Sequence, residues 1–455
     1  MKIVAENVID DARFNSFHLK LLLWCALIIV FDGYDLAVVG IALPKIMEQM
    51  HLTPTFAGVM VSSALVGMML GNLSSGALAT RFGRRRSIVL FVALFSLFTA
   101  VAGASTSPTQ FVVARFLAGI GIGGVMPNVI AQMTEYSPKR VRSLLVTLMF
   151  SGYSVGGVLA ASLGKGVMAE YGWSYLFFAA GVPLLLLPLL FAAMPESALF
   201  LWKQEKGLEL KAILRRVAPD AEVASAEIEL SAQTQKSSKV ASVPSLFSGG
   251  KALSSVMLWV QCFMCLFMVY ALSSWLAKMM ASAGYSLGSA LTFIIVLNAG
   301  GIVGAIGGGW LADKLHIKYV LASMYLVAAL SISVLGLGLS QGLLYVFVAL
   351  AGASTIGTQI VGCAYAGQFY PNATRATGVG WMLGMGRLGA MLSPLLIGFF
   401  VEQNFTMQAN FILISSTGLI ASLAVLAINH SKSASHERER RLQVSMLGDE
   451  ARTTS

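Results

Sequence analysis

The chain is poor in charged residues, and this shortage narrows what kind of protein it can be. Of its 455 residues, 11% are charged and 56% are hydrophobic, whereas charged residues make up about 25% of a soluble domain. The composition therefore indicates an integral membrane protein. Its net charge of +10 is interpreted below as a sign of orientation in the membrane, so we expect no nucleic-acid partner.

Histidine and cysteine are scarce as well. The 5 histidines fall at the ends of apolar stretches or between them: His18, His51, His316, His430 and His436. Free cysteine behaves as a small buried side chain, and the 4 cysteines all lie in apolar segments: Cys25, Cys262, Cys265 and Cys363. The sequence contains no P-loop, nucleophile elbow or cluster with metal-ligand spacing. We therefore expect no enzyme activity, no cofactor, no metal site and no disulfide framework.

Long apolar stretches dominate the rest of the chain, and twelve of them are long enough to cross a bilayer. Six fall at about 19–44, 55–80, 87–106, 109–135, 142–169 and 175–194. Six more fall at about 254–281, 286–312, 318–340, 342–369, 375–402 and 407–429. We predict an all-α membrane protein with a six-helix half at 1–194, a cytoplasmic central loop at 195–253, a second six-helix half at 254–429 and a cytoplasmic tail at 430–455.

The basic residues orient these spans. If the N-terminus is cytoplasmic, the inner loops and tails carry 26 of the 31 lysines and arginines. The outer loops then carry three (Lys45, Lys165 and Lys278), and the remaining two lie within spans. Because inner loops of membrane proteins are enriched in positive charge, we predict that both termini are cytoplasmic.

The two sets of spans match each other at one constant offset in residue number, which we call the repeat offset. It relates Gly67 to Gly300, and it holds through several further pairs: Gly71 with Gly304, Gly76 with Gly309, Gly119 with Gly352, Pro138 with Pro371, Arg142 with Arg375, and Gly156 with Gly389. Each copy has an even number of spans, so the two copies have the same orientation. Parallel repeats of six helices are the plan of major facilitator transporters.

Four charged residues lie deep inside the predicted spans, away from the span ends. Asp32 is twelve residues past Lys20, and on the eleventh span Arg387 is twelve past Arg375, so both lie about 18 Å into the membrane. By the same count, two others lie about 10–14 Å from the outer face: Asp35 and Arg115. The sequence therefore predicts two depth-matched acid–base pairs. Charges at such depths are costly and are often functional, although salt bridges that only order the bundle are the alternative.

Several motifs make the chain similar to known transporters. The segments GALATRFGRRR (Gly76–Arg86), its degenerate copy GWLADKLHIK (Gly309–Lys318) and RFLAGIGIGG (Arg115–Gly124) resemble signatures of the major facilitator superfamily. Within it, FDGYD (Phe31–Asp35) resembles the DGxD element of the aromatic acid:proton symporters. Further similarity lies at MPNVIAQMTEYSPKRVR (Met126–Arg142), PESALFL (Pro195–Leu201) and GQFYPNATRATGVGWMLGMGRLGA (Gly367–Ala390).

The resemblance and the buried charges together assign roles to particular residues. We predict proton coupling by Asp32 and Asp35, since a carboxyl group can change its protonation state during a transport cycle. The predicted substrate-binding residues are Arg387, Arg115, Asp32, Tyr34, Gln359 and Trp381. The predicted gating residues are Gly76, Arg81, Gly83, Arg84, Glu135, Arg142, Asp313 and Arg375. The first signature loop departs from the superfamily pattern, because Thr80 stands where an aspartate is usual.

The function expected from these features is import of an aromatic carboxylate, of the benzoate or hydroxybenzoate type, by proton symport with alternating access. An arginine fork suits a carboxylate because it can bind both oxygens. A drug:proton antiporter and a transporter of a non-aromatic acid such as muconate are the alternatives. From the resemblance we expect a monomer in the inner membrane of a bacterium, with a small aromatic carboxylate, protons and the lipid bilayer as its partners.

Overall fold

The computed structural model describes residues 2–219, 227–229, 243–370 and 374–433. A short strand and helix, β1 (Lys2–Val4) and α1 (Ala5–Asp10), precede the first apolar helix. The helices of the first half are α2 (Ser16–Gln49), α3 (Pro54–Phe82), α4 (Arg84–Gly103), α5 (Pro108–Tyr136), α6 (Arg142–Tyr171), α7 (Ser174–Ala179) and α8 (Val182–Ala193). The central stretch contains α9 (Ala198–Lys203), α10 (Gly207–Val217), strand β2 (Glu227–Glu229) and two 3-10 turns, Val243–Leu246 and Ser248–Gly250.

The second half repeats the pattern of long apolar helices. They are α11 (Ala252–Ser282), α12 (Leu287–Lys314), α13 (Ile317–Ser333), α14 (Gln341–Phe369), α15 (Arg375–Glu402) and α16 (Met407–Ala427), followed by a 3-10 turn at His430–Lys432. Among the described residues, 11 segments are long and apolar enough to cross a membrane, and Ile317–Ser333 is a shorter apolar helix. The predicted all-α class with twelve membrane helices is thereby confirmed.

Two spans differ in detail from the prediction. The sixth consists of two helices, α7 and α8, because the regular helical hydrogen bonding is interrupted at Ala180 and Gly181. The ninth was predicted to reach residue 340 but its helix ends at Ser333. A turn follows in which Gly338 has a φ of +67°, a left-handed conformation that glycine adopts without steric cost.

The helix starts are set by short polar residues placed before the apolar runs. The side-chain oxygen of Thr53 accepts a hydrogen bond from the backbone N–H of Phe56, and Ser107 does the same for Gln110. In both cases proline follows as the first helical residue. These caps satisfy N–H groups that would otherwise lack partners at the start of a helix.

The chain divides into two compact units that do not follow chain order. The first comprises residues 1–238, 273–295 and 394–402, and the second comprises residues 239–272, 296–393 and 403–455. Within the first unit, Trp275 Nε1 donates to the carbonyl of Pro394 at 3.2 Å, and the backbone N–H of Thr55 donates to Glu402 at 2.9 Å. The division of the chain expected from the sequence, into 1–194, 195–253, 254–429 and 430–455, remains a prediction.

The sequence repeat extends to individual helix contacts. Gly119 packs so closely on α3 that a Cβ there would overlap the carbonyl oxygen of Ala64, and its counterpart Gly352 has the same relation to Leu297. The partners are themselves related by the repeat offset. The contact of Gly156 with Val30 recurs in the same way for Gly389 and Phe263. Small residues allow such backbone approach between membrane helices, so the same residue type produces the same packing in both halves.

The N-terminal segment is joined to the central stretch within the first unit. Strand β1 pairs in parallel with β2, with Lys2 opposite Glu227. The Asn15 side-chain oxygen accepts from the N–H groups of Phe17 and His18 at the start of α2. Its amide nitrogen donates to the carbonyls of Arg216 and Val217 at the end of α10, at 3.1 and 2.9 Å. One side chain therefore caps two helices and holds them together.

Candidate functional site

A buried ion pair joins α2 and α5 inside the first unit. Arg115 Nη1 lies 2.9 Å from Asp35 Oδ1 and 3.0 Å from Asp35 Oδ2. The exposed fraction of the two side chains is 1% for Arg115 and 0% for Asp35. The sequence predicted this pair from depth alone, and its geometry is confirmed. Burial makes the contact costly to break, because removing one partner leaves an uncompensated charge.

A third side chain, that of Thr99 on α4, completes the cluster. Its hydroxyl donates to Asp35 Oδ1 and accepts from Arg115 Nη1 at 3.1 Å. Arg115 Nη2 also points to the backbone carbonyl of Asp35 at 3.4 Å. We refer to Asp35, Thr99 and Arg115 as the triad. Sequence reasoning missed Thr99; the available signal was a hydroxyl in the middle of an apolar helix.

A glycine on α5 brings two of the three helices of the triad, α4 and α5, close together. A Cβ on Gly121 would overlap the backbone N–H of Phe95 on α4, and one on Gly119 would overlap α3. The α5 backbone therefore lies directly against α4 one turn from Thr99. Without Gly121, the side chains of Thr99 and Arg115 would be held farther apart.

Asp32, the second predicted proton-coupling residue, lies one turn before Asp35 on the same helix and is 1% exposed. The adjacent Gly33 packs on the backbone of Tyr153 in α6. Asp32 and its predicted partner Arg387 belong to different compact units, so their pairing stays a prediction. The two aspartates thus share a helix face. The partner of Asp35 is observed, whereas the pairing of Asp32 with Arg387 is predicted.

The predicted carboxylate-binding residue Arg387 lies on α15 in the second unit, where it is half-buried. Its Nη1 donates to the hydroxyl of Tyr270 on α11 at 3.0 Å. Next to it, Gly386 faces Cys262 so closely that a Cβ would lie 2.6 Å from the sulfur. The arginine is therefore held at the contact between α15 and α11, with a phenol hydroxyl orienting one nitrogen of the guanidinium.

The other predicted substrate-binding residues lie in varied surroundings. Tyr34 is 6% exposed and donates its hydroxyl to the carbonyl of Leu176 at 2.9 Å. Trp381 is 44% exposed and stacks on Trp259, with ring centroids 5.7 Å apart. Gln359 on α14 is half-buried. Their roles in substrate binding remain predictions.

Several predicted gating residues form one polar cluster between α3, α4 and α5. Arg84 makes an ion pair with Glu135, and Glu135 also accepts the backbone N–H of Ala198 at 2.7 Å. Glu196 accepts the N–H groups of Arg84 and Arg85 at 2.7 and 3.1 Å. Glu196 thus caps the first turn of α4, where negative charge is favoured by the helix dipole, whereas Glu135 accepts N–H groups at the start of α9.

Gly83 explains why Glu196 can approach this turn. It has a φ of +89°, and a Cβ there would lie 2.5 Å from a Glu196 carboxylate oxygen. Sequence reasoning gave no role to Glu196, although the Pro-Glu-Ser motif that contains it was noted. Thr80 stands where the signature usually has an aspartate. Its hydroxyl donates to the carbonyl of Gly76 at 2.8 Å within its own helix. The acidic side chains of this cluster therefore come from α5 and from the segment after α8.

The remaining gating candidates are distributed around the inner loops of the predicted topology. Arg142 makes an ion pair with Asp10 and donates to the carbonyl of Ser137 at 2.8 Å. Arg81 lies 5.3 Å from the ring centroid of Phe82, and Gly76 has open space around it. The side chains of two further candidates lie outside the described residues: Asp313 and Arg375. Gating by this set remains a prediction.

Comparison with known proteins identifies the family. The chain matches the sequence profile of the Major Facilitator Superfamily over residues 25–358 and 309–449. A benzoate transport protein from Acinetobacter baylyi is 41% identical over 433 residues, which cover 94% of this chain and 93% of that protein. A 4-hydroxybenzoate transporter from Pseudomonas putida is 35% identical over 411 residues, which cover 88% of this chain and 91% of the relative. The chain belongs to the aromatic acid transporters of the major facilitator superfamily.

Solved structures agree with this assignment at the level of the fold. The xylose transporter XylE from E. coli, in its inward-open conformation, has a TM-score of 0.73 and 17% sequence identity, and the match covers 89% of this chain and 95% of that chain. As a facilitator, the protein is a multi-pass membrane transporter and not an enzyme.

Proposed function

We propose that the protein imports an aromatic carboxylate together with a proton by alternating access. The observation that carries this proposal is the buried pair of Asp35 and Arg115 in the first unit. When a proton binds the carboxylate of Asp35, an O–H bond forms and the negative charge is lost. The attraction to Arg115 then weakens, so α2 and α5 are held together less strongly in the protonated state. Proton binding is thereby converted into a change in helix packing.

Asp32 extends this proposed proton site by one turn of α2. The two carboxyl groups project from the same face of the helix, three residues apart. A proton that enters at one of them has a second acceptor a short distance along the helix. We therefore propose that both aspartates take part in coupling and that Arg115 acts on the proton rather than on the substrate.

The proposed substrate class combines the relatives with the chemistry of Arg387. The relatives are named transporters of benzoate and of 4-hydroxybenzoate. A guanidinium can bind both oxygens of a carboxylate in one plane, and Tyr270 already orients one of its nitrogens. We assign the substrate carboxylate to Arg387, with the predicted residues Tyr34, Gln359 and Trp381 as candidates for contacts with the ring.

The charge distribution supports the proposed orientation in the membrane. With both termini in the cytoplasm, 26 of the 31 basic residues face inward, as the positive-inside rule requires. We place the transporter in the inner membrane of a bacterium, as a monomer, where the proton gradient favours inward movement. The cluster around Arg84, Glu135 and Glu196 then lies on the cytoplasmic side, where we propose that it acts in gating.

The test is uptake of labelled benzoate and 4-hydroxybenzoate into proteoliposomes with an imposed inward proton gradient. We expect gradient-dependent accumulation by the wild type and its loss in Asp35→Asn and Asp32→Asn, because an amide keeps the shape of the side chain but cannot ionise. Glu48→Gln is the matched control. Glu48 is an acid on the same helix, but it is 71% exposed and pairs with the exposed Lys45.

Three outcomes would contradict the proposal in different ways. Accumulation that ignores the gradient would remove proton symport, and wild-type rates in both aspartate variants would remove the assigned proton site. Competition by muconate but not by benzoate would move the substrate class to non-aromatic acids. Extrusion of cationic drugs under a reversed gradient would favour the antiporter alternative.

A further inference from the structure

Thr99 differs from six other helical threonines in the direction of its hydroxyl group. Threonine hydroxyls in helices commonly donate to a backbone carbonyl one turn earlier. Six threonines of this chain do so: Thr80, Thr134, Thr292, Thr355, Thr358 and Thr417. The hydroxyl of Thr99 donates to Asp35 on a neighbouring helix instead. This choice of partner requires an explanation beyond local helix geometry.

The contact is suited to an ionised Asp35. A hydroxyl has one proton to donate and can accept from other groups. In the observed arrangement the proton of Thr99 goes to the carboxylate, and the oxygen accepts from Arg115 Nη1 at 3.1 Å. The proton of the Thr99 hydroxyl thus stabilises the charged form of Asp35.

A protonated Asp35 would reverse these roles. The carboxyl group would then hold a proton of its own, so it would no longer need a donor at that oxygen. The hydroxyl of Thr99 has an alternative acceptor in its own helix, the carbonyl of Phe95 four residues earlier, which is the partner that threonines use elsewhere in this chain. The two positions of one hydroxyl group therefore correspond to the two protonation states of one carboxyl group.

We infer that Thr99 is a positioning residue of the proton site, which favours the ionised form of Asp35 and so sets the pH range over which transport is coupled. The inference rests on the proposed function. In the described part of the chain, Arg115 and Thr99 are the side chains that hydrogen-bond Asp35. The other titratable neighbours are on its own helix: Asp32 one turn away, and Tyr34, whose hydroxyl donates to Leu176.

The second half of the repeat shows that packing alone does not require a hydroxyl here. The repeat offset relates Thr99 to Ile332 on α13, and Ile332 is 0% exposed. The equivalent position is therefore filled by an apolar side chain of similar branching. Only the half that contains the Asp35–Arg115 pair has a hydroxyl at this position.

The experiment measures initial uptake of labelled benzoate in proteoliposomes as a function of external pH for Thr99→Val, Thr99→Ser and the wild type. Valine keeps the branched shape but cannot donate. Since a hydrogen bond to a charged group is lost, we expect the pH at half-maximal uptake to rise by about one unit, a tenfold change in proton affinity. Serine retains the hydroxyl and should restore the wild-type midpoint.

Ser96→Ala is the matched control. Ser96 lies one turn from Thr99 on α4, is 0% exposed, and its hydroxyl has no hydrogen-bond partner among the described residues. Its removal should leave the midpoint unchanged. If valine prevents membrane insertion, Thr99→Ala provides the same test without either methyl group of valine, and the same upward shift is expected.

A wild type whose uptake depends on pH, combined with an unshifted midpoint in the variant without the hydroxyl, would overturn this inference alone. A shift that is equally large in Ser96→Ala would also overturn it, because any buried hydroxyl would then have the effect. Wild-type uptake that is independent of pH would overturn both this inference and the proposed proton symport, so the two failures are distinguishable.

Discussion

The two halves of the repeat have the same backbone contacts but place their polar residues differently. Where the first half has Asp35, Thr99 and Arg115, the second half has three apolar residues, each 0% exposed: Met268, Ile332 and Val348. Where the second half has Arg387, the first has Ser154, which is 4% exposed. One helix plan is therefore compatible with a charged interior and with an apolar one.

This difference indicates that the fold can form without the triad. Burying two charges costs free energy that their attraction roughly offsets, and apolar residues of similar volume often stabilise a protein equally well or better. The second half has such apolar residues at the equivalent positions. A buried charged pair that is present in only one half is better explained by a role in transport than by packing.

The largest effect is expected when the apolar residues of the second half replace the triad at the equivalent positions of the first half. Arg115→Val alone should lower the free energy of unfolding by about 3–5 kcal/mol, because Asp35 is left buried without a partner. The triple variant Asp35→Met/Thr99→Ile/Arg115→Val should regain that stability and still lack proton-driven uptake. Thermal unfolding in detergent and uptake in proteoliposomes measure the two quantities separately.

A triple variant as unstable as Arg115→Val would contradict the inference that apolar residues can replace the triad in the first half. The apolar residues of the second half would then depend on surroundings that the first half lacks. A stable triple variant that still accumulates substrate would instead mean that the triad has no part in coupling.

A smaller effect is expected at the polar position of the second half. If Arg387 binds the substrate carboxylate through both oxygens, Arg387→Lys should raise the KM about tenfold or more, because an ammonium group keeps the charge but not the fork. Initial rates against substrate concentration, normalised to membrane protein, give the KM. Arg215→Lys, on the exposed face of α10, controls for the substitution itself. An unchanged KM would make Arg387 structural and return Arg115 to consideration as the anion site.

The smallest effect is expected at the signature loops, where Thr80 in the first copy corresponds to Asp313 in the second. Thr80→Asp should alter the balance between transport states by about 1 kcal/mol, or a factor of about five, because Thr80 is exposed and its hydroxyl contacts only its own helix. Labelling of a cysteine introduced by Lys165→Cys, at the predicted outer face, reports the balance. Thr80→Asn has the same size without the charge, and equal labelling in both variants would exclude an electrostatic latch.

Much of the fold could be predicted because length, apolarity and repetition are local properties of the sequence. The twelve spans and the repeat offset needed no knowledge of contacts. The pairing of Asp35 with Arg115 followed from depth, since all helices of a bundle have the same rise of about 1.5 Å per residue. The break between α7 and α8 was not predicted, because a mean over apolar residues does not detect a local interruption of the helical hydrogen bonding.

The parts of the site that escaped prediction depend on rotation about helix axes. Thr99 is one of many hydroxyl-bearing residues in the spans, and only its azimuth toward Asp35 distinguishes it. Glu196 reaches Arg84 from a distant part of the chain, by way of a glycine that leaves room for it. Depth can be counted from a sequence, whereas azimuth has to be observed.

The pairing of β1 with β2 has a consequence for biosynthesis. Lys2 is translated before its partner Glu227, which follows 225 residues later in the chain. At roughly 5–20 residues per second, the N-terminal strand waits about 10–45 s on the ribosome before its partner has been translated. All six apolar segments of the first half are produced in that interval. The strand pair can therefore form only after all six apolar segments of this half have been synthesised.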